Sequence, residues 1–310
     1  MTTLLVSHPA FLEHDTGPHH PERPDRLRAV LAALDDSAFA DLARVPAPEA
    51  SMAALTRVHP QDYVEAILGV RPGPGQRVQI DGDTVMSQGS AEAVVRAAGA
   101  AVVAVDAVMQ GRAQTAFAAV RPPGHHASPA IPGGFCLLNN VAVAARHAQA
   151  QHGASRVAIL DFDVHHGQGT QAVVEPDASL FYASTHQYPL YPGTGSARER
   201  GVAGNVVNAP LPAGTDGATF RAAWRDRILP ALDDFRPDLL IVSAGFDAHA
   251  ADPLAQLEVE TEDFVWLTRE FLAIADRHAA GRLISVLEGG YDLDALAESV
   301  ATHVRTLARG

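Results

Sequence analysis

The chain reads as an α/β protein: a three-layer αβα domain around an open, mainly parallel sheet. Three observations predict this. Several short apolar runs (Ala158–Leu160, Leu239–Val242, Leu283–Val286) lack polar alternation, as strands do when helices cover both faces. Segments with apolar residues at three-to-four spacing lie between many of those runs. At 310 residues, 47% of them apolar, the chain can bury a large core and is too apolar for disorder.

Taken in order, the first strand is expected at Thr3–Ser7. A polar loop comes next, carrying His19 and His20, which read as structural or peripheral. Arg23–Leu34, Pro60–Leu68 and Ser90–Gln110 have helical spacing, and the patch Arg71–Gly75 between the last two is a Pro/Gly-rich surface loop. Thr115–Val120 reads as a strand, Asn139–Gln151 as a helix, and Arg156–Asp161 as a buried strand. Strands at Leu180–Ser184 and Val202–Val207 precede a helix at Ala218–Asp234. The chain then alternates: strand Asp238–Ser243, helix Thr261–Ala279, strand Arg282–Leu287, helix Leu293–Ala308. With no repeat or low-complexity segment, residues 1–310 are expected to form one domain.

Composition narrows the function. No apolar run approaches a membrane span, and Met1–His8 lacks a basic n-region and a long apolar h-region. The single cysteine, Cys136, excludes an internal disulfide framework and fits a reducing cytoplasm. A net charge of −13 argues against bulk nucleic-acid binding. All 23 basic residues are arginine, which together with high Ala, Gly and Pro usage fits the codon bias of a GC-rich bacterial genome.

Ligands of open parallel sheets bind beyond the carboxyl ends of the strands, so the residues just after each strand are diagnostic. Thr115–Val120 runs into Arg121-Pro-Pro-Gly-His125-His126, and Arg156–Leu160 into Asp161-Phe-Asp163-Val-His165-His166. Asp238–Ser243 leads into Asp247 and then Asp252-Pro253, while Arg282–Leu287 leads into Glu288-Gly-Gly-Tyr291. Adjacent histidines are commonly surface residues, Asp252 could start an ordinary turn, and Tyr291 could cap a helix. Four separate strand ends delivering such side chains to one edge outweigh those readings. Asp247-Ala-His249, a tempting second ligand cluster, reads as peripheral.

Two carboxylates and two imidazoles at a buried strand end are costly unless something positive sits among them. Asp163 and His165 stand two apart and can point the same way. With Asp252 as third ligand they suit a zinc ion with an open position, the pattern of a catalytic site. His125 and His126 then read as base and acid, oriented by neighbouring carboxylates, and Tyr291 as donor to a developing oxyanion. No Gly-x-Ser-x-Gly occurs and Cys136 has apolar neighbours, so a covalent nucleophile is not expected.

The motifs resemble the zinc-dependent histone deacetylase family, within the arginase–deacetylase fold with its sheet of about eight strands. The matching stretches are His20–Pro24, Arg121–His126, Gly133–Cys136, Asp161–Gly167, Tyr191–Gly195, Ser243–Asp247, Asp252-Pro253 and Leu287–Tyr291. They run in family order over nearly the whole chain and are most similar to the class II branch and its bacterial histone deacetylase-like amidohydrolases. The resemblance implies hydrolysis of acyl-lysine amides in proteins or peptides. It makes Asp163, His165 and Asp252 zinc ligands, His125 and His126 the paired histidines, Asp161 the partner of His125, and Tyr291 the polariser of the substrate carbonyl. His126 is then general base and leaving-group acid. Gln168 stands where some relatives carry a carboxylate, which implies a less basic His126. The resemblance also implies potassium at Asp161 and Ser184, with the carbonyls of Asp163, His165 and Thr185. A second potassium maps near Val174, Asp177, Leu180 and Asn205.

By the same resemblance, Phe135 and Tyr191 wall a narrow acyl-lysine tunnel, with Tyr191 where Phe is usual, and Gly134 offers a carbonyl to the scissile amide. Leu254 replaces the acidic gatekeeper of polyamine-preferring relatives, which favours acyl-lysine over acetylpolyamine. A lysine-free enzyme would also be unable to modify itself. A binuclear manganese ureohydrolase on the same fold is disfavoured by Ala251, where a further acid would be needed. A non-catalytic acyl-ligand binder would not need His125, His126 and Tyr291 together. The substrate is the only partner implied; self-association is left open.

Overall fold

The computed structural model describes residues 2–309. Its strands are β1 (Thr3–Ser7), β2 (Ala43–Pro46), β3 (Arg77–Gln79), β4 (Val85–Ser87), β5 (Thr115–Ala118), β6 (Val157–Asp161), β7 (Leu180–Gln187), β8 (Val206–Leu211), β9 (Leu239–Ala244) and β10 (Leu283–Leu287). Its α-helices are α1 (Pro24–Leu34), α2 (Met52–Leu55), α3 (Gln61–Gly69), α4 (Ser90–Met109), α5 (Asn140–His152), α6 (Gln168–Val174), α7 (Gly217–Ala223), α8 (Leu229–Phe235), α9 (Thr261–His278) and α10 (Leu293–Arg309). Eight strands form one sheet in the order β2-β1-β5-β10-β9-β6-β7-β8, and every neighbouring pair is parallel. β3 and β4 make a separate antiparallel ribbon.

The central strands are buried at every position, which is why their sequences do not alternate. Helices α4 and α5 pack on one another, as do α1, α9 and α10. Burying a Leu, Ile or Val side chain in such layers contributes about 1.5–3 kcal/mol.

Three expectations change. β2 went unseen because it is a four-residue edge strand, half-exposed and ending in Pro46. The strand placed at Val202–Val207 lies at Val206–Leu211, since residues 202–204 form a turn in which Val202 is 68% exposed. The helix expected at Ala218–Asp234 is divided by a π-helical turn, Trp224–Ile228. Pro230 comes just after it, with no N–H to continue an α-helical ladder.

Strands β5, β10, β9 and β6 are consecutive neighbours at the centre of the sheet. The four chain segments singled out by their sequences therefore leave the sheet side by side.

Candidate active site

At the end of β5, His125 and His126 are both buried, with ring centroids 4.0 Å apart. Glu288, from the end of β10, holds this turn: its Oε2 accepts the Gly124 N–H at 2.6 Å and the His125 N–H at 3.2 Å. Its Oε1 accepts from Ser243 of β9 at 3.1 Å, so one carboxylate ties three strands together. Burial pushes that carboxyl up to about 7.

The two imidazoles have different partners. His125 Nδ1–H donates to Asp161 Oδ2 at 3.0 Å, and the same oxygen accepts from the Tyr182 hydroxyl at 3.0 Å. Burial opposes charge on His125, but Asp161 and Asp163 outweigh it and raise the imidazole to about 10. His126 instead donates Nδ1–H to the neutral Gln168 Oε1 at 2.7 Å, while Gln168 Nε2 donates back to the His126 carbonyl at 3.2 Å. Burial, then the charges on His125 and His165, hold His126 well below its ordinary value. With Nδ1 protonated towards Gln168, its Nε2 carries the lone pair.

Beyond β6, Asp163 Oδ2 accepts the Gly289 N–H at 2.8 Å, and its Oδ1 lies 3.1 Å from His165 Nδ1. Asp247 Oδ2 lies 3.1 Å from the same nitrogen, while its Oδ1 accepts the Val164 N–H at 2.8 Å. Among the described residues, Asp163, His165 and Asp247 bring donor atoms within 4.8 Å of one another. Asp247 is therefore integral to the site, and its expected peripheral place is corrected. Its partner in that motif, His249, stays peripheral, with Nδ1 accepting the Ala251 N–H at 3.1 Å. Asp252 stands outside this trio. Its Oδ2 accepts the Tyr291 N–H at 2.7 Å and its Oδ1 the Leu254 N–H at 3.0 Å. Burial, Asp163 and Asp252 together push Asp247 up to about 7, so the Asp252 charge is felt at the trio.

Burial disfavours charge on His165, yet its bonds to Asp163 and Asp247 raise it to about 10. Nδ1 of this residue marks a point, between buried carboxylates, where positive charge is stabilised. Such an Asp/His donor set fits a divalent metal with N and O ligands, zinc above all.

Tyr291 is partly buried, its ring 4.8 Å from the Arg26 guanidinium carbon and edge-on to Phe135 at 5.9 Å. Arg26 donates to the carbonyls of Gly290 and Glu288 and, at 3.0 Å, to Glu22 Oε1. Glu22 also takes the Arg121 Nε–H at 2.6 Å; burial opposes its charge, but Arg121 and Arg26 lower it to about 2. The His20–Pro24 motif thus braces the Tyr291 turn from below.

Phe135 has φ 68°, at the end of a Gly133-Gly134 turn anchored by Asp83 and Thr84. A Cβ at Gly134 would lie 2.2 Å from His126 Cδ2, so only glycine lets this backbone pass the histidine pair. His20, read as peripheral, packs edge-on against Phe135 at 4.8 Å and lies on the same wall. Tyr191 packs edge-on against His126 at 5.0 Å and is 43% exposed. Leu254 is half-buried beside Asp252.

Asp161 and Ser184 are register partners on β6 and β7; Ser184 Oγ bonds His186 Nδ1 and Thr185 Oγ1 accepts the Trp224 indole N–H. The outer potassium position does not fit a cation. There the carbonyls of Val174, Asp177 and Leu180 converge on Asn205 Nδ2, at 2.9, 3.0 and 3.1 Å. Asn205 Oδ1 faces the Ala203 N–H, which fixes the amide orientation.

Sequence reasoning gave no role to Glu288, Glu22, Arg26 or Asp83. The signal for Glu288 was present: a carboxylate directly after a wholly buried strand whose one polar residue is Ser285. Arg26 and Asp83 carry no such mark, because they come from segments remote in sequence.

Residues 20–307 match the family model described as the histone deacetylase domain. A probable deacetylase of Archaeoglobus fulgidus is 39% identical over 300 residues, covering 95% of this chain and 82% of the relative. The human polyamine deacetylase HDAC10 is 40% identical over 300 residues, covering 93% of this chain and 44% of the relative. The crystal structure of the HDA15 HD domain matches with a TM-score of 0.94 at 35% identity, covering 99% of this chain and 88% of that one.

Proposed function

Since the chain belongs to the histone deacetylase family and has its arginase–deacetylase fold, we propose that it is a zinc-dependent amidohydrolase releasing acetyl or other acyl groups from acyl-lysine side chains. The observation that carries this reading is the histidine pair. Two touching imidazoles are pushed in opposite directions, one charged by Asp161 and one kept neutral beside Gln168.

Asp163, His165 and Asp252 would hold the zinc, and Asp247, accepting the Val164 N–H at 2.8 Å, would brace the turn that presents Asp163 and His165. The ion would supply Lewis acidity, polarising the scissile carbonyl and lowering the pKa of water at the site. His126 Nε2 takes a proton from the attacking water and later gives it to the leaving amine. His125 stays an imidazolium and lends positive charge to the developing tetrahedral anion. The Tyr291 hydroxyl, raised well above its ordinary pKa by the loss of solvent around it, donates to that oxyanion without ionising. Phe135 and Tyr191 would line the acyl-lysine stem, Gly134 would accept from the scissile amide, and Leu254 would border the mouth. Asp161 and Ser184, with the carbonyls of Asp163, His165 and Thr185, would take one potassium ion; their register pairing supports this.

One observation favours acetylpolyamines as a second reading. A Cβ at Gly133 would lie 3.1 Å from Asp81 Oδ2 and 3.3 Å from the Tyr191 hydroxyl, and Asp83 Oδ1 accepts the Gly134 N–H at 3.2 Å, so two carboxylates border the tunnel rim. The apolar Leu254 weighs for acyl-lysine. A side-by-side rate comparison of acetyl-lysine peptides, longer acyl-lysine peptides and acetylpolyamines with zinc-loaded enzyme decides. Acyl-lysine peptides should give the higher kcat/KM; turnover of acetylpolyamines alone would overturn the substrate assignment.

A further inference from the structure

His166 takes no part in the chemistry above, yet it is only 1% exposed. Its Nε2–H donates to Gln171 Oε1 at 2.8 Å, an oxygen that also accepts from Asn208 Nδ2 at 2.8 Å. Its Nδ1 is therefore the acceptor, taking the Thr194 hydroxyl at 2.8 Å. Gln171 Nε2 donates onward to Glu199 Oε2 at 2.7 Å, and Glu199 Oε1 accepts the Ser196 N–H at 3.0 Å.

A second buried imidazole lies beside it. His186, with its ring 4.8 Å from that of His166, bonds Ser184 Oγ through Nδ1 at 2.9 Å and donates Nε2–H to the Gly195 carbonyl at 3.0 Å. A Cβ at Gly195 would lie 2.4 Å from His186 Nε2 and 2.7 Å from His166 Cδ2, so the loop rests directly on both rings. Three residues before Thr194 stands Tyr191, whose ring is too exposed to be held by burial alone. Gly193 and Gly195, at φ 82° and 89°, flank Thr194, and Gly193 N–H closes a turn onto the Leu190 carbonyl at 2.8 Å.

We infer that His166 and His186 are positioning residues for the acyl pocket: through Thr194 and Gly195 they fix the loop that sets Tyr191 edge-on to His126. The inference rests on the proposed role of Tyr191 as a tunnel wall. It also accounts for the doubled histidine of Asp161–Gly167. One imidazole faces the metal donors, and its neighbour anchors the loop that shapes the substrate's path.

Thr194→Val tests this without altering either imidazole, and Thr194→Ser is the rescue, since it keeps the hydroxyl. Hydrogen exchange over residues 190–199 reads the anchoring; KM and kcat for acetyl-lysine and longer acyl-lysine peptides read the wall. In the valine variant, exchange should quicken about five- to tenfold, as expected for one lost buried hydrogen bond. KM should rise by a similar factor with kcat within about twofold, and discrimination between acyl lengths should relax. The serine variant should match the parent in every readout. Unchanged exchange in the valine variant, or faster exchange with unchanged KM and acyl preference, would overturn the inference. Should the parent enzyme turn over no acylated lysine, the proposed function falls, and the exchange rates alone decide the anchoring.

Discussion

Burial and the charges on His125 and His165 set the working range of His126, with only the neutral Gln168 opposite its Nδ1. In the proposed reaction neutral His126 accepts the proton, so the acid limb of kcat/KM should track its protonation and lie below pH 6.5, the ordinary histidine value. A carboxylate opposite Nδ1 would stabilise the imidazolium, so Gln168→Glu should move that limb upward by about one pH unit. A pH–rate profile checks both; an acid limb above pH 7 in the parent, or no shift in the variant, would contradict the assignment. Asp163 and His165 were legible because a strand end rarely carries such charge. Asp247 was misjudged because its sequence neighbour His249 suggested a ligand cluster on its own. What decides its place is a hydrogen bond to Val164, on a different strand end, and no spacing rule reveals that.

At the level of elements, non-alternating runs identified the central strands and helical spacing the long helices. The edges were harder: β2 and the start of β8 lie where half-exposed residues and proline blur the pattern. The segment joining α6, β7 and β8 also departs from its resemblance. The carbonyls of Val174, Asp177 and Leu180, near which the resemblance maps a second potassium, share the two hydrogens of the Asn205 amide, which ties those elements together. Asn205→Ala should lower stability by about 1–3 kcal/mol, the cost of leaving such groups unpaired. Urea denaturation in sodium and in potassium measures it, and the loss relative to the parent should shrink in potassium. An unchanged midpoint in sodium would contradict the role given to Asn205.

Across the whole molecule, the sheet order makes neighbours of segments that the sequence separates by up to about 170 residues, His125 and Tyr291 among them. Which strand ends carry chemistry was readable from composition; that they are consecutive, β5-β10-β9-β6, is a property of topology alone. The brace between Glu22 and Arg121 was invisible for the same reason, since residues 99 apart meet only after folding. A net charge of −13 gives the protein a field that attracts cations from a distance. The most direct test of the account is acetate release from an acetyl-lysine peptide by protein carrying one zinc per chain, with Tyr291→Phe alongside. The account predicts stoichiometric acetate and free lysine, activity lost on chelation and regained with zinc, and a zinc-retaining Phe variant slower by about 10²–10³-fold. No acetate release by the zinc-loaded protein, or undiminished turnover in the Phe variant, would contradict it.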